Sequence, residues 1–168
     1  AYADMTFFVR DSLNGSYNIV QIDSTGNQNI IASYASNAFG SNPTAYSLDW
    51  AVHPSQPQVS FVVFSGSSAV IRTLDYQTGT ILFSAGLAQP VGRNLYYDQL
   101  GNLLYADYNP ATGLITWGTI SPTSGAITPL GSTPLMTSIA STLPFGRILT
   151  FDPAQYLLYY QASDFSIP

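Results

Sequence analysis

The ionisable side chains available for chemistry are few: one histidine, nine aspartates, four arginines and the tyrosines. His53 could act as a general base, the commonest catalytic role of an imidazole. It stands before Pro54, at the place that Tyr97-Asp98 and Phe151-Asp152 take in related stretches, so a turn residue is expected there. A nucleophilic triad would have to be built on this one imidazole, and no Gly-x-Ser-x-Gly elbow accompanies it. Cysteine is absent, which excludes thiolate catalysis, disulfides and Cys-ligated metals.

Paired carboxylates could hydrolyse a glycosidic bond. Here Asp23, Asp75, Asp98 and Asp152 fall at turns, where Asp bonds the backbone ahead of it, and no Asp-box is present. Calcium could use the oxygens of Asp23-Ser24-Thr25-Gly26-Asn27-Gln28-Asn29 or Asp107-Tyr108-Asn109. Neither stretch has the spacing of an EF-hand loop, and side-chain-capped turns are the expectation. The sequence thus predicts no catalytic residue, no metal and no cofactor, and a protein that is not an enzyme.

Twelve tyrosines and two tryptophans offer flat amphipathic surfaces on which sugar rings could stack. Tyr96, Tyr97, Tyr105, Tyr159 and Tyr160 lie in short apolar runs, so packing is expected to use most of them. Asn14-Gly15-Ser16 is an N-glycosylation sequon at a tight-turn dipeptide. Asn42-Pro43-Thr44 is excluded by its proline. The Ser/Thr/Pro-rich stretch Ser121–Thr142 could carry O-glycans.

The elements that must position these residues follow from composition and repeats. Lys and Glu, the usual material of solvated helix faces, are both missing. With 46% apolar residues the chain can build a core. The formal net charge of −5 and four scattered arginines argue against nucleic acid and against an anionic membrane surface. No apolar run reaches the roughly 18 residues of a membrane span. Low charge with abundant Tyr, Ser, Thr and Asn predicts an extracellular or cell-surface setting. The chain starts at Ala1-Tyr2-Ala3-Asp4 without an initiator Met, and is expected to be a processed product or part of something longer.

Four apolar runs look alike: Met5–Val9, Val59–Phe64, Leu103–Asp107 and Tyr156–Tyr160. With the last placed at Leu157, they recur at intervals of about 45–55 residues. Three are preceded by a strand-like run and a turn: Leu48–His53, Asn94–Tyr97 and Ile148–Phe151. Three are followed by Asn18–Ile22, Val70–Leu74 and Leu114–Ile120, each ending in a turn at Gly26, Gly79 or Gly125. A fourth run comes after each turn: Asn29–Ala32, Thr80–Ser84 and Ala126–Leu130. The unit is a four-stranded antiparallel meander, with strand positions A to D and the length of a propeller repeat. The chain reads BCD, ABCD, ABCD, AB. It divides into a partial unit over 1–47, complete units over 48–93 and 94–146, and a partial unit over 147–168, in one all-β module. Longer loops are expected from D to A at Ser33–Tyr46, Ala85–Arg93 and Gly131–Gly146.

Leu74-Asp75-Tyr76-Gln77-Thr78-Gly79-Thr80-Ile81-Leu82 resembles the Asp-x-x-Thr-Gly turn of quinoprotein-type and surface-layer β-propeller repeats. Tyr97-Asp98-Gln99-Leu100-Gly101-Asn102 and Phe151-Asp152-Pro153 resemble the A–B turn of the same repeats. The resemblance implies β-propeller-like blades and no particular activity. The rival folds are an open β-sandwich or a solenoid. The repeat-turn residues are Asp23, Gly26, Asp75, Gly79, Asp98, Gly101, Gly125 and Asp152. The functional expectation is a structural or adhesive module that self-associates with copies of itself or with adjoining segments. Tyr156, Leu157, Leu158, Tyr159 and Tyr160 are the candidate contact, because their strand has no charge to guard its edge. The alternatives are a carbohydrate- or other ligand-binding propeller and a fragment of a propeller enzyme.

Overall fold

The structure, a computed structural model, describes residues 5–10, 16–35, 37–38, 45–46, 50–109, 111–134, 149–152 and 157–160. All regular elements among them are antiparallel strands. The first sheet is β1 (Met5–Arg10), β2 (Tyr17–Ile22) and β3 (Gln28–Tyr34) in sequential order. The second holds β4 (Ala45–Tyr46), β5 (Ala51–Val52), β6 (Gln58–Ser65), β7 (Ser68–Asp75) and β8 (Ile81–Leu87). The third runs through β9 (Leu95–Tyr97), β10 (Leu103–Asn109), β11 (Leu114–Ile120) and β12 (Ile127–Pro134). The fourth is the hairpin β13 (Leu149–Asp152) and β14 (Leu157–Tyr160). The four look-alike runs therefore occupy position B of four separate sheets.

The second sheet is covered on both faces. Successive strand residues point to opposite sides. In β6, Val59, Phe61 and Val63 pack with Tyr17 and Ile19 of the first sheet. Val62 and Phe64 pack with Leu95, Leu103 and Tyr105 of the third. A near-continuous apolar run is what a doubly covered strand requires, and six consecutive residues of β6 are buried. Fully burying each Val, Ile or Phe side chain contributes about 1.5–3 kcal/mol. The sheets are thus held face to face. Three stacked antiparallel meanders are neither a two-sheet sandwich nor a parallel solenoid; they are β-propeller-like blades, two complete and two partial.

Two expectations need correction. Position A of the second sheet, predicted as Leu48–His53, is two short pieces. β4 pairs with Phe64 and Val63, while β5 pairs with Ser60 and Val59. The position-D strands run further than predicted, so Ser33, Ala85 and Gly131 are strand rather than loop. Each lies on the far side of a register shift, at Ile19/Val20, Thr73/Leu74 and Trp117/Gly118. Such a shift bends the outer strand and raises its twist, letting it continue past its short sequence signal. Pro129 and Pro134 are tolerated in β12 because an edge strand does not need every N–H.

Candidate functional site

The turns between positions C and D share one construction. Asp23 Oδ1 accepts the Thr25 N–H at 2.8 Å, the Thr25 hydroxyl at 2.7 Å and the Asn27 N–H at 2.9 Å. Its Oδ2 accepts Asn27 Nδ2 at 3.1 Å. These donors, the Thr25 hydroxyl foremost, lower its pKa from 3.8 to about 2. Asp75 Oδ1 accepts the N–H groups of Gln77 and Thr78 at 2.8 and 3.0 Å. Ser121 stands in the same place in the third sheet, and its Oγ accepts the Ser124 N–H at 3.3 Å. Gly26, Gly79 and Gly125 then close the turns at φ of 90°, 74° and 71°, a region that L side chains rarely adopt. The A–B turn of the third sheet repeats the device. Asp98 accepts the N–H groups of Leu100 and Asn102 at 2.9 and 2.8 Å, and Asn102 Nδ2 at 2.8 Å. Burial raises the Asp98 pKa most, but its hydrogen bonds together outweigh that and hold it below the ordinary value.

His53 is the counterpart of Asp98. Its N–H donates to the Gln58 carbonyl, as that of Asp98 does to Asn102. Its Nδ1 accepts the Ser55 N–H at 3.2 Å, as Asp98 Oδ1 accepts that of Leu100. The ring also reaches the third sheet: it tilts against Tyr97 at 4.9 Å, and a Cβ on Gly101 would lie 2.7 Å from Nε2.

The turn glycines have a second role that turn chemistry hides. Gly79 sits on Ala32 and Tyr34 of the first sheet, and the Tyr34 hydroxyl donates to the Gly79 carbonyl. Gly125 sits on Ala85 and Gly86 of the second sheet. A Cβ at either glycine would overlap the sheet beneath it. Successive sheets are therefore joined by the C–D turn of one resting on strand D of the one before.

Two buried polar clusters escaped the sequence reading. Ser60 Oγ hydrogen-bonds with Thr73 Oγ1 at 2.7 Å and with the Tyr97 hydroxyl at 2.8 Å, linking β6 and β7 to β9 across the interface. Burial raises the Tyr97 pKa. Asp107, considered as a calcium ligand with Asn109, instead accepts the N–H groups of Gly92, Arg93 and Asn94 at 2.6, 2.8 and 3.3 Å. It pins the D–A connection between the second and third sheets, and its burial pushes its pKa up despite these donors. Asn109 caps its own turn through the Ala111 N–H at 2.9 Å. A charged residue at the end of the apolar run Leu103–Asp107 was the one available signal.

Aromatic side chains serve the interfaces. Trp50 stacks on Phe61 with centroids 3.7 Å apart, while Tyr97 and Tyr105 are buried. No group of three or more His, Cys, Asp or Glu suited to a metal occurs among the described residues. Asn14 and Tyr156 lie outside the described residues. Asp152 ends β13 opposite Leu157, and Leu158, Tyr159 and Tyr160 pair with Phe151, Thr150 and Leu149.

No family model matches this chain, and no curated protein does. Solved structures do. A candidate 6-phosphogluconolactonase from Bacteroides fragilis is 16% identical, with a TM-score of 0.48 over 76% of this chain and 35% of that one. A protein from Lactobacillus plantarum is 13% identical, with a TM-score of 0.43 over 85% of this chain and 41% of that one. The chain thus spans less than half the length of either. At these values the fold rests on the sheets described above. The name of the first corrects one expectation. It is that of an enzyme, against the expectation that this chain is not one.

Proposed function

We propose that the chain is a structural and adhesive module of the cell exterior that self-associates into a larger assembly, whether filament, layer or completed propeller. One observation carries the reading. Among the described residues, two fully formed meanders are flanked by sheets of three and two strands, and an unpaired sheet edge invites a further strand. Composition supports it: with only 8% charged residues and neither Lys nor Glu, the edge strands have few guards. The use of Trp50, Tyr97 and Tyr105 in sheet packing favours this reading over a sugar-binding platform. The exterior setting accords with the Asn14 sequon, whose glycan would add to the intact mass of native material. Light scattering tests the reading: particles heavier than the 18.1 kDa chain support it, and a monomer at every concentration refutes it.

A further inference from the structure

The connection from β8 to β9 lies on the seam between the second and third sheets. Gly92 holds a φ of 92° there. A Cβ on it would meet Val62 of the second sheet and Leu95 and Ile120 of the third. Asp107 of β10 holds this connection with its carboxylate. Oδ2 accepts the Gly92 N–H at 2.6 Å, and Oδ1 accepts those of Arg93 and Asn94 at 2.8 and 3.3 Å. Asn94 returns to the same stretch of β10. Its carbonyl accepts the Ala106 N–H at 3.2 Å, and its Nδ2 donates to the Ala106 carbonyl at 2.9 Å. The second bond fixes the orientation of the amide, since the reverse would set two acceptors against each other. Asn94 Oδ1 is then left buried without a hydrogen-bond partner among the described residues, in a residue only 2% exposed. A buried acceptor in that state costs free energy until a donor reaches it.

The carboxyl that already accepts the Asn94 N–H can supply that donor. A protonated carboxyl offers one O–H and keeps acceptor capacity. Oδ2 takes one N–H and Oδ1 takes two, so a proton on Oδ2 displaces neither bond on Oδ1. Burial favours the neutral form of Asp107 and holds its pKa above the ordinary value, although the three N–H groups and the charge of Arg93 pull the other way. Arg93 on the connection and Tyr105 on β10 are the ionisable groups coupled to it by charge. The Arg93 guanidinium lies over the Phe64 ring at 4.9 Å. From β11, Thr116, which does not ionise, stands opposite Asp107.

We propose that Asp107 and Asn94 form a proton-operated clasp on this seam: Asp107 takes a proton from solvent on Oδ2 and donates it in a hydrogen bond to Asn94 Oδ1, while its own Oδ1 keeps the N–H groups of Arg93 and Asn94. The closed clasp leaves no buried charge on Asp107 and no orphan acceptor on Asn94. As pH rises through the folded value of Asp107 the proton returns to solvent. A buried carboxylate then remains, and Asn94 Oδ1 loses its donor. The seam between the second and third sheets is thus tightest in acid, opposite in sense to the turns of Asp23 and Asp98. The clasp is independent of whether the chain self-associates.

Nuclear magnetic resonance tests the shared proton directly. The Asp107 carboxyl carbon and the Asn94 side-chain amide are followed through an acid-to-neutral titration of the unaltered chain. Both are expected to shift with one midpoint, above that of an ordinary aspartate. Asn94→Leu keeps the size of the side chain and removes Oδ1. It is expected to lower the Asp107 midpoint by about one pH unit, the worth of one hydrogen bond to the neutral form. An apolar side chain on its own would raise that midpoint by desolvation, so the direction separates the clasp from burial alone. If the leucine variant does not fold, the common midpoint in the unaltered chain decides. An Asn94 amide that stays still while Asp107 titrates overturns the proposal, as does an Asp107 midpoint that holds or rises in Asn94→Leu.

Discussion

The Tyr34 hydroxyl of the first sheet donates to the Gly79 carbonyl of the second, and Ala32 lies directly beneath that glycine. Gly79 thus combines a positive φ with a sheet-to-sheet contact. Gly79→Ala should cost about 3 kcal/mol, combining left-handed strain with overpacking. Tyr34→Phe should cost only about 1 kcal/mol, the net worth of one hydrogen bond. Urea unfolding of the two variants measures both. Equal and small losses would show that the contact does not hold the sheets together.

His53 should behave as a turn residue in stability measurements. Asn at this position keeps an acceptor for the Ser55 N–H, as Asp98 does for Leu100. His53→Asn is therefore expected to cost less than His53→Ala, which removes the acceptor and should lose about 1 kcal/mol. Thermal unfolding compares them. A larger loss for Asn than for Ala would mean that the ring contacts with Tyr97 and Gly101 dominate.

The carboxylates predict an acid limb with two opposed contributions. Asp23 and Asp98 titrate below the ordinary value when folded, so the stability they add is present above it and lost as pH falls. For Asp23 that window runs from about 3.8 down to about 2. Asp107 is shifted upward by burial, so its contribution is present at low pH and lost as pH rises through its folded value. Asp98→Asn should flatten the loss of stability on acidification, and Asp107→Asn should steepen it. Denaturant midpoints measured between pH 2 and pH 7 show the sign in each case. A flatter limb from Asp107→Asn would contradict the assignment.

Asp107 also carries a structural load. Asp107→Ala leaves the N–H groups of Gly92, Arg93 and Asn94 without their acceptor, beneath the connection that joins the second and third sheets. An unsatisfied buried donor costs about 1–3 kcal/mol, so a loss of about 3 kcal/mol or more is expected in equilibrium unfolding. A loss below about 1 kcal/mol would mean that water replaces the carboxylate freely.

The sheets could be read from the residues because each apolar run carries its own local punctuation. Asp75 to Gly79 and Asp98 to Gly101 are turns whose chemistry is local, and Gly26, Gly79 and Gly125 all take the positive φ that such turns demand. What could not be read was non-local. Ala45–Tyr46 is a strand only because Phe64 and Val63 pair with it. The bonds of Asp107 reach back to a loop at least 13 residues earlier. The packing role of Gly79 was masked because turn chemistry already accounted for a glycine there. The place of His53 was visible, since Pro54 and the comparison with Asp98 put it at a turn, but its approach to Gly101 of the next sheet was not.

Self-association is the central claim, and the solution mass of the unaltered chain tests it most directly. Sedimentation velocity across a hundredfold range of concentration should show species heavier than 18.1 kDa that grow with concentration. A single 18.1 kDa species across the whole range would contradict the account.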